Sequence, residues 1–184
     1  TDRTLAWWEA VVLIAAYAAC SRVEFEVGSG ASIPTQLVFV PMLFAAPLPL
    51  VPLLVAAGAV AGEVPQYVRG RIPIRRVIVA VPNAWYSVGP VLVLAAVGER
   101  PPDLGDAPLY VAALGAQFAF DLGNSMALER FGVGGTWSEL RGPLGWPALV
   151  DTLLSPLGLL AAFVVADETW AIALVLPAAG LLRV

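Results

Sequence analysis

Apolar residues in this chain come in long runs separated by short polar or Pro/Gly-rich breaks. Such runs need helices, because a helix satisfies its own backbone donors and acceptors where water is absent. The first run is Leu5–Cys20, with Thr4 placed as N-cap and Trp7 and Trp8 at an interface. In the polar stretch Ser21–Ser32, Val23, Phe25 and Val27 alternate with Arg22, Glu24 and Glu26, which predicts a short extended segment. Ile33–Ala61 then carries Pro34, Pro41, Pro47, Pro49 and Pro52. As a single helix it would reach about 43 Å, against a hydrocarbon core of about 30 Å. Proline removes a donor and breaks helices, so Pro47–Pro52 predicts a break between helices near 34–46 and 49–62. Each is short enough to be tilted, re-entrant or shielded by neighbours.

Four further runs follow: Val77–Val97, Pro108–Met126, Pro147–Ala166, and Thr169 to the chain end. They are separated by the basic loop Glu63–Arg76, the acidic, Pro-rich Gly98–Ala107, the connector Glu129–Gly142 and the pair Asp167-Glu168. In the connector, Thr136-x-x-Glu139 matches a capping box and predicts a short interfacial turn. The fold class is therefore all-α: a polytopic membrane helix bundle of six to seven short, Pro-broken helices, forming a single transmembrane domain over residues 1–184.

Composition strengthens that reading and removes several functions. Hydrophobic types make up 59% of the 184 residues and charged types 13%, against roughly 45–50% and about 25% in soluble domains. Ten Arg, no Lys and a net charge of −4 leave no basic field for nucleic acid. The absence of His and a single Cys20 exclude His-ligated zinc, Cys/His catalysis and a disulfide framework, and the absence of Lys excludes a Schiff-base chromophore. Cys20, inside an apolar run, reads as a packing residue. No nucleophile–base pair, phosphate-cradling Gly loop or paired-metal cluster is present, so no catalytic residue, metal or cofactor is expected in these residues. Thr1 and the apolar Ala171–Val184 read as the cut ends of a longer protein.

The Arg distribution sets an orientation in the cell membrane. Four Arg lie in the 63–76 loop, whereas 98–107 and 166–168 are acidic, which places 63–76, 127–142 and the C-terminus in the cytoplasm. If Ile33–Ala61 crosses once there are six crossings with the N-terminus inside; if it is a hairpin there are seven with the N-terminus outside.

Polar groups inside the runs carry the candidate chemistry. Tyr110, Gln117, Asp121 and Asn124 are spaced 7, 4 and 3 apart, one stripe of a helix. Asp151, Ser155 and Gly158 form a second stripe, and Asn83, Ser87 and Pro90 a third. Three such stripes can face one another around a polar interior. A plainer reading stays open, in which the carboxylates are solvated at the interface or paired with Arg130 or Arg141 and the small polar residues are helix-packing glue. Glu24, Glu26 and Gln36 divide in the same way, between loop solvation and a lid over the bundle.

Ser21–Phe44, SRVEFEVGSGASIPTQLVFVPMLF, followed in order by PLPLVPLLVAAGAVAGEVPQYVRGR, NAWYSVGPVLVLA, AQFAFDLGN and LVDTLLSPLGLLAAF, resembles the N-terminal membrane region of actinobacterial signalling proteins. In those proteins several helices precede a cytoplasmic HD-GYP phosphohydrolase or a GGDEF module of cyclic-di-GMP turnover. The resemblance implies a sensory or anchoring input domain whose partners are the bilayer and a catalytic module of the same chain after Val184, with a homodimer left open. It carries over no catalytic residue. The bundle is also similar, in architecture only, to the substrate-binding S components of vitamin transporters. A stand-alone solute-binding subunit is thus the rival function, and a passive anchor a third.

Overall fold

The computed structural model describes residues 3–23, 25–27, 30–130 and 145–177. It is almost wholly helical. Helix α1 spans Trp7–Cys20, α2 Gln36–Ala45, α3 Val51–Val68, α4 Ile74–Asn83, α5 Val88–Val97, α6 Ala107–Arg130 and α7 Gly145–Val165. Short 3-10 turns lie at Leu48–Leu50, Ala84–Ser87, Leu104–Asp106 and Thr169–Leu174. Among the described residues, three helical stretches are long and apolar enough to cross a membrane: Leu48–Val68, Ile74–Val97 and Ala148–Val165.

Local chemistry accounts for where the elements begin and end. Helix α1 starts after Ala6 rather than Thr4, because Glu9 Oε2 reaches back to accept from the Ala6 N–H at 2.7 Å. The extended pattern around Val23–Val27 becomes strand β1, Phe25–Val27, and pairs antiparallel with β2, Gly30–Ser32, which the sequence pattern did not mark. The proline cluster breaks the run Ile33–Ala61 as expected, but α3 continues past Ala61 to Val68 and takes in Pro65 in its last turns. The last run opens as a 3-10 helix, Thr169–Leu174, in place of an α-helix. There Thr169 Oγ1 donates to Glu9 Oε1 at 3.0 Å and holds the turn against α1. The capping-box connector around Thr136 lies outside the described residues.

Helix α2 is the core. All but two of its residues are buried, from Gln36 to Phe44, as a helix apolar on every side must be. Its ten residues extend only about 15 Å, so among the sequence's alternatives for this run it is the shielded one. It packs mainly on α7, where Gly158 allows close approach: a Cβ there would lie 2.6 Å from the Gln36 carbonyl oxygen and 2.9 Å from Val40 Cβ. Outward-facing side chains are apolar instead; Leu53, Val111 and Leu153 are 66%, 71% and 64% exposed.

Tertiary contacts sort the bundle into two ends. Arg3 bonds to Glu99 and Arg100, Leu48 to Glu99, and Glu9 to Thr169, which gathers the start of α1 with residues 98–106 and 166–170. At the opposite end Ser21 touches Gly62, Arg22 meets the Gln66 amide, and Glu63 pairs with Arg76 at 3.6 Å. The start of the chain, the end of α2 and the 98–106 segment therefore share one end, so α1, α2 and α3 alternate in direction.

Candidate functional site

Two prolines shape the wall of the candidate site. Pro90 has no N–H for the Tyr86 carbonyl, and its ring crowds that carbonyl. With Pro82 inside the last turn of α4, the chain tightens into the 3-10 turn Ala84–Ser87 instead of continuing as one α-helix. This break sets Asn83 and Tyr86 beside a cavity of about 560 Å³ bounded by α1, α3, α4, α6 and α7.

Five residues singled out in the sequence line that cavity: Asn83, Gln117, Asp121, Asn124 and Asp151. The stripe on α6 works as its spacing predicts, because positions 117, 121 and 124 fall on one face. Gln117, buried at 4% exposure, donates from Nε2 to Asp151 Oδ2 at 3.3 Å. Asn124 Nδ2 donates to Asn83 Oδ1 at 3.4 Å. Both bonds are long, so these groups keep capacity for another partner. Deeper in, the Tyr17 and Tyr86 hydroxyls share a hydrogen bond of 2.8 Å, with Thr35 in reach of both. Phe39 packs edge-on against Tyr86, ring centroids 5.1 Å apart.

Gln36 stands behind this wall. It is buried to 1% exposure, its amide lies within hydrogen-bonding reach of Asp151, and its Oε1 has no partner. Asp121 and Asp151 are close enough to feel each other's charge. Among the described residues no arginine pairs with either: Arg130 is exposed, Arg141 lies outside the described residues, and Glu63 takes Arg76 on the rim. Also among the described residues, no three Cys, Asp or Glu side chains converge to hold a metal ion.

Other predicted members fall elsewhere. Ser155 turns its hydroxyl back onto the Asp151 carbonyl at 2.6 Å and lines a separate, apolar groove of about 340 Å³. Ser87 is buried on the Ala84 carbonyl. Tyr110 shares the α6 face but lies two turns nearer the other end, where its hydroxyl accepts from the Asp103 N–H at 2.8 Å. The backbone of Glu26 lies in β1 opposite Ala31, and Glu24 lies outside the described residues. Tyr17, Thr35, Tyr86 and Glu63 line the cavity and were missed. A usable signal was Tyr17 with Ser21, four apart at the end of a helix that is otherwise apolar after Glu9.

The opposite end holds a second polar cluster of a different kind. Arg3 Nη1 donates to the Leu43 carbonyl at 2.8 Å and the Ala46 carbonyl at 3.4 Å, and Nη2 donates to the Arg100 carbonyl. These close the C-terminus of α2, whose last carbonyls have no helical partner. Glu99 Oε1 accepts from the Leu48 N–H at 2.9 Å. Burial pulls the Arg3 guanidinium below its ordinary pKa and the Glu99 carboxylate opposes that shift.

The chain matches no family model, no curated protein and no solved structure.

Proposed function

We propose that this chain is a multi-pass, membrane-embedded input domain that detects a signal in its polar cavity and relays it to a cytoplasmic catalytic module. The observation that carries the proposal is the cavity itself: carboxylates and loosely bonded amides gathered inside a bundle whose outer face is apolar. Ionisable groups kept at such cost inside a membrane domain mark a functional interior. The end bearing Arg22, Arg69, Arg71, Arg75 and Arg76 faces the cytoplasm in this reading, and the Arg3–Glu99 end faces outward with the N-terminus. The resemblance of Ser21–Phe44 supports an HD-GYP phosphodiesterase of cyclic-di-GMP as the module regulated, with a GGDEF cyclase second.

The test is output of the full-length protein. Asp121→Asn and Asp151→Asn should each lock phosphodiesterase activity high or low with the protein still folded and inserted. Unaltered output from both would leave a passive anchor. The rival, a solute-binding transporter subunit, draws on the cavity's size, which suits a small organic solute. A coding frame that runs past Val184 into an HD or GGDEF sequence would decide against it.

A further inference from the structure

We infer that the cavity takes a small organic cation, an ammonium or diammonium compound, with Asp121 and Asp151 as its counter-charges; this rests on the cavity being a binding site. Charge comes first. Two carboxylates face the space without a cationic partner among the described residues, while Glu63 on the rim is already paired with Arg76. An anion entering there would meet repulsion and, among the described residues, no cation lining the space, whereas a cation relieves the mutual repulsion of the two aspartates.

An independent sign comes from Gln36. Its carbonyl oxygen is buried beside Asp151 with no donor. A buried acceptor left unpaired is costly, and the partner it lacks is an N–H or O–H. Gln36 lies behind the cavity lining, so an ammonium group seated at Asp151 supplies charge to the carboxylate directly and reaches Gln36 Oε1 with a turn of that amide.

Size separates an organic cation from a metal ion. Calcium takes six to eight oxygens at about 2.3–2.6 Å, and among the described residues no three ligating side chains converge. The cavity, about 560 Å³, lies within the roughly 300–1,000 Å³ of small-molecule sites. Phe118 and the Tyr17 and Tyr86 rings offer apolar wall for a carbon skeleton.

The experiment is calorimetric titration of the protein in lipid nanodiscs with 1,4-diaminobutane dihydrochloride and with choline chloride. Sodium chloride of equal ionic strength, sodium butyrate and 1,4-butanediol serve as the inorganic, anionic and neutral counterparts. The expected result is saturable binding of at least one organic cation and of none of the counterparts. Asp121→Asn and Asp151→Asn should each weaken that binding at least tenfold, Gln36→Leu should weaken it severalfold, and Asp151→Glu should retain most of it. Circular dichroism and size-exclusion elution identify any variant that misfolds, and Asp151→Glu then carries the comparison. No saturable binding of either cation, sodium binding as tightly, or undiminished binding by both Asn variants would overturn the inference. Butyrate or butanediol binding that Asp151→Asn abolishes would overturn the cation while leaving a binding cavity. Cation binding with unaltered output of both Asn variants would instead overturn the input role alone.

Discussion

At the Arg3 end of the bundle the buried charges of Arg3 and Glu99 are spent on the backbone: the guanidinium on the Leu43, Ala46 and Arg100 carbonyls, and Glu99 on the Leu48 N–H. The space left there is about 10 Å³. At the Asp151 end polar side chains bond to one another at 3.3 and 3.4 Å, around about 560 Å³. One end uses charge to close helix termini across four segments; the other keeps charge in reserve. Charge that is fully consumed is architecture, and charge held loosely around a cavity is available for chemistry, which is why the site is placed at the second end.

The largest effect expected is all-or-none and concerns which end faces which side. In a Cys20→Ala background, Thr4→Cys and Asp103→Cys should react together with a membrane-impermeant thiol reagent in intact cells, and Arg71→Cys should not. Thr4 reacting in company with position 71 would break the two-ended arrangement, because Arg3 is bonded to Glu99 and Arg100. Next comes a pair of glycines. Gly158→Ala forces a Cβ to within 2.6 Å of the Gln36 carbonyl oxygen, whereas a Cβ at Gly115 meets nothing within 4 Å. Overpacking of this kind costs about 1–3 kcal/mol, while Gly115→Ala should gain about 0.5–1 kcal/mol from helix propensity. Unfolding in mixed micelles measures both, and equal shifts would mean that α2 and α7 are not in close contact.

Arg3→Ala should cost about 2 kcal/mol in the same assay, since hydrogen bonds from a charged donor contribute about 1.5–3 kcal/mol and the α2 carbonyls lose their partner. Glu99→Gln keeps an acceptor for the Leu48 N–H and should cost about half as much. If Arg3→Ala proved silent, the contrast between a structural end and a chemical end would lose its first half.

Much of this was legible in the sequence, for reasons that stop at identifiable residues. Length and apolarity place the helices, and Pro47–Pro52 places the break, because proline acts locally. The 117/121/124 stripe places most of the cavity's α6 wall, since periodicity dictates a face. Periodicity does not say where along a face the neighbours leave room, so Tyr110 and Ser155 were grouped with the site although the packing turns them elsewhere. Arg3 and Glu99, 96 residues apart, gave no local signal at all. Neither did Gln36 as a buried group beside Asp151, which depends on α2 being the enclosed helix.

The smallest effect expected is on the stability of the aspartate variants, and it sharpens the comparison most. Asp151→Asn keeps a carbonyl oxygen to accept from Gln117 and removes a charge that faces Asp121. Loss of one repelling partner offsets the loss of charge assistance in the hydrogen bonds from Gln117 and Gln36, so the net change should lie within about 0.5 kcal/mol of zero. Asp121→Asn should behave alike, with slightly less effect, since Asp121 has no hydrogen-bonding partner of the Gln117 kind among the described residues. Both are read in the micelle unfolding assay beside Arg3→Ala. Were Asp151→Asn to cost as much as Arg3→Ala, the carboxylate would be holding helices together like the guanidinium at the far end. The cavity would then be a packing defect around a structural bond. A near-neutral stability combined with a lost ligand or altered output is the signature of a charge retained for what it binds.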